Sequence, residues 1–382
     1  MRATAWAAAK NQDGRVFATT GPVLVVGMGL LGTSAALALR GAGIEVYLQD
    51  ISPTALALAR DIGAGEAYGP GAPDPALVIV ATPPDVVAPV VVDALNRFAN
   101  AVVTDVASVK QVVVDEVLAA PVDTSRYVGS HPMAGRERSG AAAADRDLFV
   151  GRPWVLVAHE HCDPAAVLTV RTLATDLGAS VVEMAAGEHD RAVALVSHVP
   201  QLVASLLAAR LADAPDSALE LAGQGLRDTT RIAASNAQLW TNIICGNCEP
   251  VWEVLASLNV DLQALLDALR AGVDAGFEAQ GLAGAINQVM SRGHEGVVRI
   301  PGKHGGPARR WATIEVLIPD SPGELGRLFS ELGNIDVNIE DLTLDHSAHQ
   351  QVGSARIQID PARAHDAAAE LLARGWRIVT EG

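Results

Sequence analysis

The first strong pattern along the chain is an apolar run followed at once by glycines. Residues Val23–Val26 form a continuous apolar stretch, which is typical of a strand buried on both faces of a parallel sheet. A helix-like run, Thr33–Arg40, follows and ends near Gly41 and Gly43, and Glu45–Gln49 predicts the next strand. Strand, helix and strand in this order predict the first unit of a parallel α/β sheet.

Strand-like and helix-like segments then alternate up to about residue 184. The predicted strands are 76–81, 101–104, 126–128, 153–158 and 180–183, and the predicted helices are 84–98, 109–119 and 164–177. This alternation predicts an α/β Rossmann-type doubly wound sheet, in which ligands bind beyond the carboxyl ends of the strands. Three irregular segments fall at those ends, namely 82–84, 105–110 and 129–140.

The remaining pattern divides the rest of the chain. A helical period predicts an all-α domain, with one long apolar helix at Ala192–Leu211 suited to a bundle core or a dimer interface, and two later helices at 250–258 and 261–271. Near the carboxyl end, predicted strands at 313–318, 336–344, 351–359 and 376–380 and helices at 324–332 and 361–374 give a βαββαβ order, which is ferredoxin-like. The predicted divisions are a flexible tail at 1–20, the sheet domain at 21–184, the helical domain at 185–290, a basic linker at 291–310 and the ferredoxin-like domain at 311–382.

Composition limits the partners. The chain has 382 residues, 49% of them hydrophobic, and a net charge of -16, which argues against nucleic acid or an anionic membrane as a bulk partner. Apolar stretches such as Val86–Leu95 are interrupted by proline or aspartate, so no membrane span is expected. Three cysteines give no disulfide framework and favour a reducing cytoplasm. The pair Cys245 and Cys248 lacks the second ligand pair of a zinc site, and no metal is expected.

The glycine turn after the first strand predicts a dinucleotide site. Its six residues are Gly27, Met28, Gly29, Leu30, Leu31 and Gly32, and an acidic residue, Asp50, ends the second strand. The first glycine permits the tight turn, the second lets a pyrophosphate approach the backbone, and the third lets the helix pack on the strand. Because Asp50 would bind a ribose diol and repel a 2′-phosphate, we expect NAD rather than NADP. Thr82 and Pro83 should line the same crevice.

The most informative segment is the loop that we predict at 129–140. It carries His131 before a proline, which disfavours the helical region for the histidine. By itself the loop is equally consistent with a solvated turn and with a general base. Because its predicted place is a strand's carboxyl end beside the nicotinamide, the base is favoured.

The helical domain offers a histidine and an arginine. His198 is as consistent with a satisfied core histidine as with a ligand-binding role. Arg231 follows a Gly/Thr/Asp-rich segment and precedes Trp240, an arrangement suited to holding a carboxylate. The alternative is a helix that begins at Asp228 or Thr229, with Arg231 paired on the surface.

These motifs together resemble the prephenate/arogenate dehydrogenase family. The residues that carry the resemblance are Gly27–Gly32, Asp105-x-x-Ser108-x-Lys110, Gly129–Gly135 with Glu137, Ser197-His198-x-Pro200 and Asp228–Ala233 with Trp240. The resemblance implies an NAD-dependent oxidative decarboxylation and a dimer formed through the helical domain. It also implies that His131 accepts the hydrogen of the substrate's ring hydroxyl and that Ser108 helps to orient it. Arg231 would bind a substrate carboxylate, His198 would support the pocket, and Glu137 would lie near a domain hinge. Leu226 is a local departure, where an aromatic residue is expected.

The last domain resembles the ACT family of amino-acid-sensing modules. The residues concerned are Asp320, Gly323 and Leu325 around a Pro-Gly turn, followed by Asn338 and Ile339. The turn would offer backbone N–H groups to an effector carboxylate, and the implied effector is tyrosine. A domain that only strengthens assembly is the alternative, since allostery needs two states that a sequence does not show.

Three other functions remain to be weighed. Dehydrogenases of β-hydroxy acids share this architecture but generally use a lysine base in the helical domain, and Lys10, Lys110 and Lys303 all lie outside that domain. A non-catalytic module that senses NAD and an amino acid is a second alternative. Arogenate is a third, as a substrate in place of prephenate, and no residue decides between the two.

Overall fold

The computed structural model describes residues 17–136, 138, 140–275, 281–301, 311–346 and 352–379. The chain forms two compact units. One consists of Met1–Ala214 with Thr229–Ser257, and the other consists of Pro215–Asp228 with Leu258–Gly382.

The first unit contains the expected doubly wound sheet. Its eight strands lie in the order β3-β2-β1-β4-β5-β6-β7-β8, and all neighbours are parallel except β6 and β7. The strands are β1 (Val23–Val26), β2 (Val46–Gln49), β3 (Glu66–Ala67), β4 (Leu77–Val80), β5 (Val102–Asp105), β6 (Tyr127–Pro132), β7 (Pro153–Val157) and β8 (Ser180–Glu183). The Rossmann-type sheet is therefore confirmed, with β3 as a short edge strand that the sequence pattern did not predict.

Helices cover both faces of this sheet. They are α1 (Leu30–Gly41), α2 (Pro53–Asp61), α3 (Pro84–Arg97), α4 (Gln111–Ala119) and α5 (Pro164–Asp176). Val23 and Val25 belong to one hydrophobic core, while Leu24 and Val26 belong to the core on the opposite face. Burial on both faces explains why β1 is a continuous apolar run rather than an alternating one.

The segment around His131 is not the loop that we predicted. The strand extends to Pro132 instead of ending at Val128, because residues 129–132 pair with β7 in an antiparallel register that matches His131 with Val155. The glycine and proline pattern indicated a turn, whereas the backbone is extended and buried throughout β6. The prediction of a loop was wrong, and the histidine sits on a sheet strand.

The long helix that was predicted at Ala192–Leu211 begins earlier, at Ala186, and has an irregular turn. α6 (Ala186–Val193) and α7 (Val199–Ala209) are joined by a π-helical turn, Ala194–His198. Pro200 lacks the N–H that a regular helix requires, which accounts for a wider turn before it. By length and composition alone, Ala186–Ala209 could cross a membrane. Within the protein, however, this segment carries buried polar groups at His189, Asp190 and His198.

The other helices complete this part of the chain. They are α8 (Asp216–Leu219), α9 (Gln224–Thr230), a 3-10 turn (Arg231–Ala234), α10 (Ala237–Cys245), α11 (Cys248–Ala275) and α12 (Leu282–Val298). α11 is one helix where two were predicted, since nothing breaks it between residues 258 and 261. Asp228 and Thr229 lie inside α9, which contradicts the alternative that either begins a helix.

The carboxyl-terminal elements form an antiparallel sheet with its own core. They are β9 (Ala312–Pro319), α13 (Glu324–Asn334), β10 (Asp341–His346), β11 (Val352–Ile359), α14 (Pro361–Ala373) and β12 (Arg377–Val379). The order β10-β11-β9-β12 is that of the expected ferredoxin-like fold. β10 begins five residues later than predicted, because Asp336 adopts a left-handed conformation, with a φ of 56°, that no strand tolerates.

Candidate active site

The three glycines of the turn differ in how much space surrounds them. Gly27 has a φ of 100°, and a Cβ there would lie 2.5 Å from the carbonyl oxygen of Ala81. A Cβ on Gly32 would lie 2.1 Å from the carbonyl oxygen of Gly27. A Cβ on Gly29 would meet nothing within 4 Å. Gly27 and Gly32 are thus required by the fold, while the open space at Gly29 is left for a ligand.

The residues around this turn fit a dinucleotide. α1 begins at Leu30, which Leu31 follows. Its first turn has no acidic residue and its N-terminus has no side-chain cap, so the N–H groups there remain available to a phosphate. Asp50 follows β2, and its carboxylate accepts hydrogen bonds from the N–H groups of Met28 at 2.5 Å and Ser52 at 2.7 Å. The negative charge that would contact the ribose is therefore held against the glycine turn itself.

Thr82 and Pro83 lie at the same edge of the sheet, after β4. Pro83 precedes the first residue of α3. The Thr82 hydroxyl oxygen is buried and has no hydrogen-bond partner in the described part of the chain. A buried polar atom of this kind is expected to gain a partner when a ligand binds.

His131 lies at the carboxyl end of β6, the same edge at which β4 and β5 end. Its ring is 7% exposed, and its Nδ1 lies 2.8 Å from His189 Nε2. Burial lowers the pKa of His131 well below its usual value, and His189, Lys110 and His198 lower it further. The ring is therefore held neutral, as a general base requires.

A buried ion pair lies beneath this histidine. Lys110 Nζ donates to Asp105 Oδ1, and both side chains are fully buried. The other Asp105 oxygen accepts the hydroxyl of Tyr127 at 2.8 Å. Burial raises the pKa of Tyr127 well above its usual value, and the charge and hydrogen bond of Asp105 raise it further. Lys110 is thus paired with Asp105, and it is close enough to His131 to lower the pKa of that ring.

We call the region around His131, His198 and Trp240 the pocket, and within it His198 and Trp240 lie in contact. Their rings meet edge to face with centroids 6.0 Å apart. The Asn247 amide nitrogen lies 3.0 Å from His198 Nδ1 and 2.8 Å from the carbonyl oxygen of Asp190. Burial lowers the pKa of His198 to about 4, although Asp190 acts in the opposite direction. His198 is thus a second buried histidine, and its lowered pKa favours the neutral ring near pH 7.

Three residues of this network escaped the sequence reasoning. They are His189, Asp190 and Asn247, all 3% exposed or less. The available signal was the polar run Glu188-His189-Asp190 just before a long apolar stretch. Polar residues in a buried stretch need hydrogen-bond partners, so this run indicates a buried polar network.

The other predicted site residues are exposed, partly exposed or outside the described part of the chain. Ser108 is partly exposed in the segment between β5 and α4. Arg231 is exposed at the start of the 3-10 turn, where the carbonyl of Ile232 accepts a hydrogen bond from Gln201 at 3.0 Å. Gln201 lies one turn after His198, which ties this turn to the same helix. Glu137 lies outside the described residues.

Comparison with known proteins gives one consistent family. A family model described as "Prephenate dehydrogenase, nucleotide-binding domain" matches residues 35–183, and "Prephenate dehydrogenase, dimerization domain" matches residues 185–279. A protein of Streptomyces niveus described as a probable prephenate dehydrogenase, NovF, is 36% identical over 92% of this chain and 98% of its own length.

Two solved structures share the fold. Prephenate dehydrogenase of Aquifex aeolicus, crystallised with hydroxyphenyl propionate and NAD+, is 28% identical with a TM-score of 0.61, over 72% of this chain and 97% of that one. Arogenate dehydrogenase of Synechocystis is 26% identical with a TM-score of 0.57, over 72% of this chain and 99% of that one.

Proposed function

The chain belongs to the prephenate dehydrogenase family, and we propose that it oxidatively decarboxylates prephenate to 4-hydroxyphenylpyruvate, with NAD as cofactor and His131 as general base. The observation that carries this proposal is the state of His131. Its Nδ1 lies 2.8 Å from His189 Nε2, and among the described residues the only hydrogen bond found for the His131 ring is this one at Nδ1. One nitrogen of a neutral ring is thus available at the edge of the sheet where a ligand is expected.

The chain's own groups account for the protein side of the reaction. His131 Nε2 takes the proton of the ring hydroxyl as the carbonyl forms. NAD+, held at the glycine turn and by Asp50, would supply the hydride acceptor for the same ring carbon. The ring carboxylate then leaves as CO2, driven by aromatisation, so no metal is required. Ser108 is assigned to orient the hydroxyl and Arg231 to hold a substrate carboxylate, in a pocket that His198 and Trp240 support.

Replacement of the base tests this proposal. We expect His131→Asn to lower turnover with prephenate by ~10²–10⁴-fold while NAD binding is retained, because the cofactor's contacts lie elsewhere. NADH formation at saturating substrate and NAD binding by calorimetry are the two measurements. The control is His161→Asn, an exposed histidine outside the site, which should match the unmodified enzyme. Near-normal turnover of His131→Asn would refute the assignment.

The substrate clasp has its own test. Arg231→Ala should raise the apparent KM for prephenate more than it lowers kcat, because a salt bridge to a carboxylate acts mainly in binding. An unchanged KM would remove Arg231 from this role.

The preferred substrate is decided by a separate comparison. The likeness to an arogenate dehydrogenase makes arogenate the second candidate substrate. Rates with prephenate and arogenate, each with NAD+ and NADP+, decide between the two.

We also propose that the protein forms a homodimer and is regulated by tyrosine, as the resemblance to the family implies. Leu195, Val196 and Leu206 on α6–α7 are each more than 60% exposed, which favours burial against a second copy in a homodimer. In the ferredoxin-like domain, Gly323 precedes α13 with a φ of 94° and no side-chain cap, which suits an effector carboxylate such as that of tyrosine. Leu325 is partly buried, and Asn338 and Ile339 precede β10, while Asp320 is exposed in the turn. The cysteines, Cys162, Cys245 and Cys248, are free, as a cytoplasmic location would leave them.

A further inference from the structure

Asp190 contacts both pocket histidines indirectly, through two different groups. Its carboxylate reaches His131 through His189, and its main-chain carbonyl reaches His198 through Asn247. Each route begins at a group that can only donate or only accept a hydrogen bond, namely the main-chain N–H groups that face the Asp190 carboxylate and the main-chain carbonyl of Asp190. The proton positions on both rings can therefore be worked out from the geometry.

The first route starts at the amino end of α4. The N–H groups of Lys110 and Gln111 donate to the two carboxylate oxygens of Asp190, at 2.8 and 2.9 Å. Main-chain N–H groups cannot accept, and a helix N-terminus favours a negative charge, so Asp190 is an acceptor on both oxygens. His189 Nδ1, 2.7 Å from Asp190 Oδ1, must then carry the proton and donate.

The proton pattern continues to the base. His189 is fully buried, and a neutral imidazole has one N–H, which is already used on Asp190. Its Nε2 must accept, so His131 Nδ1, at 2.8 Å, is the donor. The proton of His131 is thereby fixed on Nδ1, and its Nε2 is left with a lone pair. That is the form a base needs at the atom that meets substrate.

The second route gives the opposite result. The carbonyl of Asp190 can only accept, so the Asn247 atom facing it at 2.8 Å is the amide nitrogen and not the oxygen. The same nitrogen lies 3.0 Å from His198 Nδ1 and must donate to it as well. His198 therefore carries its proton on Nε2. This ring offers a donor to the pocket, suited to a carboxylate or keto oxygen of the substrate.

We propose that Asp190 is a positioning residue that sets opposite tautomers on the two pocket histidines, an acceptor at His131 Nε2 and a donor at His198 Nε2. The inference rests on the proposed function for the roles of the two rings, but the tautomers themselves do not depend on activity. One residue thereby matches both rings to a substrate that has a hydroxyl to deprotonate and oxygen acceptors to bind.

The tautomers can be read directly from 15N spectra of [15N]histidine-labelled protein near pH 7.5. His131→Asn and His198→Asn identify the two rings among the ten histidines by loss of their signals. We expect the lone-pair shift on Nε2 of His131 and on Nδ1 of His198. The proposal is overturned if His131 carries its proton on Nε2, if His198 carries it on Nδ1, or if His189 is doubly protonated.

Kinetics supply the second test. In Asp190→Asn an amide nitrogen can face His189 Nδ1, which then has to accept, so that the proton positions on His189 and His131 are reversed. We therefore expect kcat to fall at least ~10²-fold with NAD binding unchanged. His189→Gln keeps an acceptor for His131, whereas His189→Leu does not. The kcat of His189→Gln should therefore be at least ~10-fold higher than that of His189→Leu, with the two variants equally stable to heat. Asp115→Asn, an exposed carboxylate on α4, is the matched control and should leave kcat unchanged.

The possible failures are distinguishable. If the unmodified enzyme shows no prephenate-dependent NADH formation, the proposed function fails while the spectra still decide the tautomers. If His131→Asn is inactive but Asp190→Asn, His189→Gln and His189→Leu turn over equally well, the proposed function stands and the positioning role of Asp190 is refuted.

Discussion

His131 and His198 are held as neutral rings inside the pocket, because burial lowers the pKa of each, to about 4 for His198. In the unfolded chain both rings take up a proton below about pH 6.5, whereas in the folded protein they do so only at lower pH. The unfolded state therefore binds more protons in this range, and the free energy of unfolding falls as the pH falls. This contribution is complete above pH 6.5 and is lost toward pH 4.

This dependence can be measured by urea unfolding at pH 7.5 and 5.5. Between these two values the unmodified protein should lose roughly 1 kcal/mol more unfolding free energy than His198→Gln, which has no ring to protonate. His161→Gln, at an exposed position, should lose as much as the unmodified protein. Equal losses in His198→Gln and in the unmodified protein would mean that His198 is not held neutral by folding.

We expect Asp50 to determine the choice between the two nicotinamide cofactors. Its carboxylate is fixed by the N–H groups of Met28 and Ser52, so its charge stays where a 2′-phosphate would lie. Asp50→Asn keeps the size of the side chain and removes the charge, and we expect the preference for NAD+ over NADP+ in kcat/KM to fall by about tenfold or more. Asp61→Asn, at the end of α2, is the control. An unchanged preference would assign cofactor choice to other residues.

Single residues divide into those whose role depends on neighbours in the sequence and those whose role depends on distant partners. Gly27, Gly32 and Asp50 are recognisable because their spacing is dictated by one turn and one strand, within a short stretch of chain. His189 and Asn247 acquire their roles from contacts 58 and 49 residues away along the chain. Nothing in the neighbouring sequence encodes those partners, so only the fold brings them to His131 and His198.

The β1-α1 connection allows two of its three glycines to be compared. Gly32→Ala places a Cβ against the carbonyl of Gly27 and should lower the free energy of unfolding by about 1–3 kcal/mol or more. Gly29→Ala meets open space, so its thermal unfolding should be close to that of the unmodified protein while its affinity for NAD falls. Differential scanning calorimetry and NAD titration measure the two effects. A stable Gly32→Ala protein, or a Gly29→Ala protein with normal NAD affinity, would contradict this division.

Elements with a single strong period were predictable, and those shaped by pairing were not. β8 was predicted residue for residue, and α3 and α5 to within one residue at the carboxyl end. β6 was misassigned beyond Val128 because its extended form depends on antiparallel pairing with β7, which overrides the turn preference of Gly129 and Pro132. The π-helical turn before Pro200 likewise follows from how the backbone accommodates a proline, which periodicity does not report.

At the scale of the whole molecule, the candidate active site and the ferredoxin-like domain have separate hydrophobic cores. The pocket residues lie in the unit that contains the doubly wound sheet, while the ferredoxin-like sheet packs its own apolar core around Val316, Leu328 and Ile357. A domain with an independent core can be lost or altered without dismantling the pocket. Regulation by this domain therefore requires an effector that binds it and a coupling that changes the rate.

Tyrosine titration of the full-length enzyme tests that coupling. We expect millimolar tyrosine to lower the initial rate of NADH formation, since tyrosine is the end product that this reaction leads to and carries the carboxylate that the turn before α13 can bind. Asp320→Ala should weaken the inhibition while leaving the rate without tyrosine unchanged, because residue 320 lies in that turn and not in the pocket. Phenylalanine serves as the matched ligand control for the tyrosine hydroxyl. If tyrosine has no effect on rate at millimolar concentration, the domain contributes to assembly alone, and the concentration dependence of dimer formation becomes the property that it should control.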